Sequence, residues 1–118
     1  MHLGVDVGGT KIEAVVLAED GSERFRERIA APQGSYGDTL TALVGLHDRA
    51  AEACGELATV GFGTPGSVIP ETGLMKNCNS TWINGRPLPQ DLAGCLGRAV
   101  VVANDGDCFA LSEASDGA

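Results

Sequence analysis

The first segment whose residue types could do chemistry is Asp6-Val7-Gly8-Gly9-Thr10-Lys11. A carboxylate at the end of an apolar run is followed by two glycines and a hydroxyl. Glycines let backbone N–H groups approach an anion and tolerate positive φ, and Thr10 adds a hydroxyl donor. Since a carboxylate and a phosphate repel each other, Asp6 would serve such a site through a divalent cation, and Mg²⁺ with retained waters suits both. The alternative is an ordinary Gly-Gly hairpin turn with an exposed Asp and Lys.

The second segment is Asn104-Asp105, which follows the apolar run Val100–Val102. Ligands of α/β proteins bind outside the carboxyl ends of sheet strands. An aspartate there can accept a proton from a substrate hydroxyl, and a neighbouring asparagine can orient that hydroxyl. The alternative is a helix N-cap, because Asn and Asp both favour helix starts.

The third segment is the turn Gly63-Thr64-Pro65-Gly66-Ser67, together with Asn77, Asn79 and Asn84. Turn amides and side-chain amides offer uncharged donors and acceptors, which is the chemistry that a neutral polyol such as a sugar requires. The alternative is an ordinary polar loop that Trp82 anchors to the core.

Composition limits the partners of these segments. The chain has 118 residues, 17 of them glycine, and a formal net charge of -8. With a pI of about 4.5 and no run of Lys or Arg, it lacks the basic surface of a nucleic-acid-binding protein. A small phosphate remains compatible, because backbone N–H groups bind it without basic side chains.

The sequence also bears on location. No apolar stretch approaches the ~20 residues needed to cross a bilayer, and Met1-His2-Leu3 lacks the features of a signal peptide. Four cysteines are irregularly spaced without a CxxC pair, which favours reduced thiols over a zinc site: Cys54, Cys78, Cys95 and Cys108. We therefore expect a cytoplasmic protein with no membrane partner, and an extracellular disulfide pair is the alternative.

Apolar periodicity predicts the elements that must position these segments. Three consecutive strands joined by tight turns are predicted at Leu3–Val7, Ile12–Leu17 and Arg24–Ile29. A helix with Asp38 as N-cap and Gly55 as C-cap follows, since apolar residues recur at steps of three and four: Leu40, Leu43, Val44, His47, Ala50, Ala51 and Cys54. We interpret His47 as a packed or boundary residue.

The second half continues with a strand at Ala58–Gly63, an irregular segment from Val68 to Pro89 and a short helix at Gln90–Leu96. A buried strand at Ala99–Ala103 precedes a final helix from about Asp107. The order β-β-β-α-β-α-β-α predicts one α/β domain with a mixed five-stranded sheet, its first three strands antiparallel, covered by helices.

Taken together, the three segments resemble the ROK family of sugar kinases and repressors. The matching motifs are, in chain order, Asp6-x-Gly8-Gly9-Thr10-Lys11, Gly63-Thr64-Pro65-Gly66 and Asn104-Asp105-x-Asp107-Cys108-x-Ala110-x-x-Glu113-Ala114. That family belongs to the actin-like, ribonuclease-H-like ATPases. The stretch Lys76–Leu88 looks most like bacterial fructokinases of the manno-fructokinase type, and N-acetylglucosamine kinases are the nearest neighbours.

The resemblance implies ATP-dependent phosphorylation of a hexose 6-hydroxyl, most closely that of fructose, with N-acetylglucosamine, mannose and glucose as alternatives. Asp6 through Lys11 would bind the phosphates of ATP, with Asp6 holding Mg²⁺ through water. Asp105 would be the general base. The sugar contacts would be Gly66, Ser67, Asn79, Asn104 and Asp105.

The resemblance further implies that residues 1–118 are the N-terminal lobe of a two-lobed kinase. The other lobe would supply a second phosphate loop, the adenosine pocket, a sugar clamp and a structural Zn²⁺ site, so no zinc ligand is expected here. We expect this lobe to be inactive alone and the full-length protein to be a homodimer. A sugar-sensing repressor domain and a non-sugar ATPase lobe are the competing interpretations.

Overall fold

The computed structural model describes residues 1–64, 66–76, 78 and 81–104. Seven strands run in chain order: β1 (His2–Val7), β2 (Lys11–Leu17), β3 (Glu23–Ala30), β4 (Thr59–Thr64), β5 (Ser67–Val68), β6 (Met75–Lys76) and β7 (Val101–Asn104). Two α-helices are present in this part of the chain, α1 (Tyr36–Cys54) and α2 (Leu88–Leu96). The final helix predicted from Asp107 lies outside the described residues.

Five strands form the main sheet in the order β3-β2-β1-β4-β7. The β1–β2 and β2–β3 pairs are antiparallel, whereas β1–β4 and β4–β7 are parallel. The parallel pairs are the ones whose connection contains a helix, as a crossover requires. The predicted mixed sheet, antiparallel over its first three strands, is confirmed.

Helix α1 begins one turn earlier than predicted. Ser35, with an extended backbone, is the N-cap, and its hydroxyl accepts from the Asp38 N–H at 3.2 Å. The prediction of Asp38 as N-cap is wrong: this residue lies in the first turn, where its charge faces the positive end of the helix dipole. Gly55 is the C-cap as predicted, because its φ of 82° suits glycine and its N–H reaches Ala51 O at 2.7 Å.

The hydrophobic core lies between α1, α2 and one face of the main sheet. Alternate residues of the central strands contribute Leu3, Val5, Val7, Ile12, Ala14, Val16, Val60 and Phe62. The helices contribute Leu43, Leu46, Ala50, Leu88 and Leu92. Leu46 is fully buried although the predicted apolar stripe of α1 did not include it. The opposite face of β1 carries His2, Gly4 and Asp6, because successive side chains alternate across a strand.

The segment predicted as irregular contains a small hairpin. Strand β5 pairs with β6 through Ser67↔Lys76 and Val68↔Met75, and Thr81–Ile83 forms a 3-10 turn. Helix α2 starts at Leu88, two residues before the predicted start, since Pro89 occupies the first turn, where its missing N–H costs nothing. Within the described ranges, no helix is long and apolar enough to cross a membrane.

Candidate active site

Three parallel strand ends meet at one edge of the main sheet. Across this edge Asp6 pairs with Gly63, and Gly63 pairs with Ala103; the next pair is Thr64 with Asn104. Adjacent strands lie about 4.8 Å apart, so the ends of β1 and β7 are separated by about 10 Å. Gly63, which lies between them, has no side chain to fill that space. The topology therefore brings the Asp6 loop, the Gly66 turn and Asn104 to one edge.

The loop from Asp6 to Lys11 is a tight β1–β2 connection. Gly8 N–H donates to Lys11 O at 2.9 Å, and a β-carbon on Gly8 would lie 2.7 Å from that same oxygen. Gly9 has no described atom within 4 Å of a β-carbon position. Neither glycine has positive φ, so the tolerance of glycine for that conformation is not used here. Glycine is required at position 8 because the Lys11 backbone lies too close for a β-carbon, whereas the space beside Gly9 is open.

The side chains of this loop face different surroundings. Oδ1 of Asp6 is buried, whereas Thr10 and Lys11 are exposed. Val7 is buried in the core, so only its backbone can face a ligand. The exposed hydroxyl of Thr10 and ammonium group of Lys11 are donors that suit a phosphate.

The segment after β3 supports the loop from outside. Ala31 N–H donates to Thr10 O at 2.9 Å. The Gln33 side-chain amide donates to Gly9 O at 2.8 Å and to Ala31 O at 2.9 Å. Two carbonyl oxygens of the loop, Gly9 O and Thr10 O, therefore already accept hydrogen bonds. This reduces the repulsion that they would exert on a bound anion.

A charge cluster next to the loop, formed by the half-buried Glu13 and two exposed arginines, was not predicted. Glu13 lies opposite Asp6 in the β1–β2 register. Its carboxylate forms ion pairs with two arginines of β3. Arg26 Nη1 is 2.7 Å from Glu13 Oε1, and Arg28 Nη2 is 2.8 Å from Oε2. The Arg28 hydrogen bond above all lowers the pKa of Glu13. This neutralises a negative charge that lies one strand away from the proposed phosphate loop.

The Gly66 turn packs against the β5–β6 hairpin. A β-carbon on Gly66 would lie 2.5 Å from Cys78 Sγ and 2.9 Å from Cys78 N, and it would also collide with Lys76 O. The Thr64 hydroxyl, fully buried, lies 3.2 Å from Gly66 O and 3.3 Å from Ala103 O. Thr64 therefore ties this turn to the end of β7. Ser67 is half-buried and starts β5.

Two residues of the asparagine-rich segment have structural partners. Asn84 bonds to the backbone of Cys78, accepting at 2.8 Å and donating at 3.2 Å. Trp82 Nε1 donates to Thr39 Oγ1 of α1 at 3.1 Å, and Trp82 packs against the core, as the alternative interpretation of this segment required. The predicted site residues Asn79 and Asp105 lie outside the described residues, as does Asn77.

The donor set at this edge suits Mg²⁺ better than a transition metal. Within residues 1–64, 66–76, 78 and 81–104, no group of three or more His, Cys, Asp or Glu could hold a metal ion. One Asp6 carboxylate, acting with phosphate oxygens and water, is the kind of coordination that Mg²⁺ accepts. Burial raises the pKa of the Cys78 thiol, which favours the protonated form.

Known proteins share this sequence and this fold. A model of the ROK family matches residues 2–118. The chain is 44% identical over 116 residues to the N-acetyl-D-glucosamine kinase of Haemophilus influenzae, covering 98% of this chain and 38% of that relative. A ROK family glucokinase from Streptomyces griseus, solved in complex with glucose and AMPPNP, superposes with a TM-score of 0.81 at 29% identity, covering 99% of this chain and 37% of that one.

A ROK hexokinase from Thermus thermophilus gives the same TM-score, 0.81, at 28% identity over 95% of this chain and 37% of that one. The chain thus spans 38% of the length of the curated relative described above. These likenesses confirm the expected actin-like, ribonuclease-H-like fold. The family match covers all but the first residue, and the chain belongs to the ROK family.

Proposed function

We propose that the protein containing this chain transfers the γ-phosphoryl group of ATP to the 6-hydroxyl of a hexose, and that residues 1–118 are its N-terminal lobe. The observation that carries the proposal is the meeting of the Asp6 loop, the Gly66 turn and Asn104 at one sheet edge. Crevices at the carboxyl ends of parallel strands are where α/β proteins bind ligands. The sugar-kinase relatives support the same class of reaction.

In this proposal the Asp6–Lys11 loop receives the phosphates of ATP. Backbone N–H groups beside Gly9 and the Thr10 hydroxyl donate to phosphate oxygens. Asp6 would hold Mg²⁺ through water, and the cation when bound would neutralise phosphate charge. The exposed Thr10, the open space beside Gly9 and the ion-paired Glu13 support this role for the loop.

The sugar lies on the other side of the edge. Gly66, Ser67, Asn79 and Asn104 would contact its hydroxyls, and Asp105 would accept the proton of the attacking 6-hydroxyl. As the oxygen–phosphorus bond forms, the bond to ADP breaks, and positioning supplies most of the catalysis. Asp105 follows directly on β7, whose end Thr64 ties to the Gly66 turn, and this connection supports their acting together.

Two sugars are the leading candidates. N-acetylglucosamine is favoured by relatives named for it at 39–44% identity. Fructose is favoured by the likeness of Lys76–Leu88 to manno-fructokinases. A coupled assay of ADP release by the full-length protein, with ATP, Mg²⁺ and a panel of hexoses, decides between them. Hexose binding without turnover on any sugar would contradict the kinase proposal and favour a sugar-sensing repressor.

Asp105 is tested in the same assay. We expect Asp105→Asn to lower kcat by ~10²–10⁴-fold, the usual contribution of a general base, with a smaller change in hexose KM. Gln90→Ala, an exposed change on α2, is the control and should keep full activity. An effect of Asp105→Asn on KM alone would reassign Asp105 to sugar binding.

A further inference from the structure

The side-chain amide of Asn84 pairs with both backbone groups of a single residue. Its Oδ1 accepts from Cys78 N–H at 2.8 Å, and its Nδ2 donates to Cys78 O at 3.2 Å. An asparagine amide has the same donor and acceptor groups as a peptide unit, so it can replace a neighbouring strand at this point. Asn84 therefore fixes both the position and the orientation of the Cys78 backbone.

The surrounding backbone explains why a side chain is used here. Met75 exchanges hydrogen bonds with the next segment, through Arg86 O at 3.0 Å and Gly85 N–H at 2.8 Å. Asn84 cannot continue this ladder with its own N–H, which donates to Thr81 O at 3.1 Å in the turn. Its side chain continues the pairing instead, beyond the end of β6.

Cys78 in turn determines where the Gly66 peptide lies. Its thiol is buried and packs so closely that a β-carbon on Gly66 would lie 2.5 Å from Sγ. The Gly66 backbone faces the same sulfur. The other side of the turn is fixed by the Thr64 hydroxyl, 3.2 Å from Gly66 O. Gly66 is thus held between β4 and the Cys78 backbone.

From these contacts we propose that Asn84 is a positioning residue for the sugar side of the site: it holds Cys78, and Cys78 holds the Gly66 turn. The inference rests on the proposed hexose kinase activity. Both groups of the Asn84 amide are bonded to Cys78, so we expect the loss of this side chain to weaken sugar binding and to leave ATP binding unchanged.

The first measurement is enzyme kinetics in the full-length protein. We expect Asn84→Ala to raise hexose KM about tenfold, with ATP KM unchanged within about twofold; tenfold corresponds to 1.4 kcal/mol. Asn84→Asp keeps the acceptor for Cys78 N–H but faces Cys78 O with a second oxygen, so its hexose KM should fall between those of the wild type and Asn84→Ala. If Asn84→Ala does not fold, the hexose KM of Asn84→Asp provides the test.

Thr72→Ala is the matched control. The Thr72 hydroxyl accepts from Leu74 N–H at 3.2 Å, the same kind of side-chain-to-backbone bond at the other end of the hairpin. Its loss should leave hexose KM unchanged. An equal rise of hexose KM in Thr72→Ala would show that general loosening of the hairpin, and not Asn84, is responsible.

The second measurement is alkylation of Cys78 by iodoacetamide, followed by mass spectrometry. The thiol should react faster in Asn84→Ala than in the wild type, and the exposed Cys95 provides an internal reference. Faster labelling of Cys78 together with a selective rise of hexose KM supports the proposal. Faster labelling with unchanged hexose KM, or unchanged labelling, overturns it while the proposed function stands. Absence of turnover by the wild type on every hexose overturns the proposed function, and this inference with it.

Discussion

Gly66 lies where neighbouring backbone leaves no room for a β-carbon, which would meet Cys78 N at 2.9 Å and also Lys76 O. Since backbone cannot move aside as a flexible side chain would, we expect Gly66→Ala to destabilise the chain by about 1–3 kcal/mol. Urea denaturation followed by circular dichroism measures the loss. Gly94→Ala is the control: it lies inside α2 with no described atom within 4 Å, and alanine favours a helix. Equal stability of Gly66→Ala and the wild type would mean that the turn moves freely.

Gly8 and Gly9 should respond differently to the same substitution. Gly8→Ala places a β-carbon 2.7 Å from Lys11 O and should lower the stability of the hairpin, whereas Gly9→Ala meets no described atom within 4 Å. If phosphate binds against this backbone, Gly9→Ala should keep the melting temperature and raise ATP KM on the order of tenfold, since 1.4 kcal/mol is a factor of ten. Thermal melts and steady-state kinetics of the full-length protein test both effects. An unchanged ATP KM in Gly9→Ala would indicate that the phosphates of ATP do not bind against this loop.

At the scale of elements, the Glu13 cluster joins β2 to the edge strand β3. The pKa of Glu13 is lowered in the folded state, chiefly by Arg28, so its contribution is present above the unfolded pKa and is lost as pH falls through the folded pKa. We expect Glu13→Gln to cost up to about 1 kcal/mol at pH 7, because the arginines are exposed, and much less at pH 3. Urea midpoints at both pH values test this, with Glu52→Gln on α1 as control. An equal loss at pH 3 would point to packing instead of charge.

The central elements could be predicted from the sequence because their patterns are local. β1, β2 and β4 alternate or run apolar where they are buried, and their predicted bounds differ from the observed ones by one residue. The β5–β6 hairpin could not be predicted, since each strand has two residues and is held by distant contacts at Gly66 and Cys78. The start of α1 could not be predicted from residue type alone, because Ser35 and Asp38 are both favourable N-cap residues. In the structure Ser35 is the N-cap.

The same distinction applies to the candidate site. Asp6 and Asn104 could each be placed at the end of a strand, because Asp6 is the last residue but one of a predicted strand and Asn104 directly follows another. The pairing of Glu13 with Arg26 and Arg28 depends on the β2–β3 register, which composition does not reveal. Asn84 has the residue type of a sugar ligand, yet its amide is used by the Cys78 backbone. Residue type alone cannot distinguish a substrate contact from a backbone contact.

At the scale of the whole molecule, the chain covers 38% of the length of its N-acetyl-D-glucosamine kinase relative, and the edge described above offers one side of a cleft. Alignment of two bound reactants contributes up to about 7–11 kcal/mol to catalysis, and it is lost when groups on one side are missing. We therefore expect residues 1–118 alone to show no ADP release above background with ATP, Mg²⁺ and any hexose, while the full-length protein turns over. Turnover by the isolated chain that disappears in Asp105→Ala would contradict the two-lobe proposal, since one lobe would then hold the complete site.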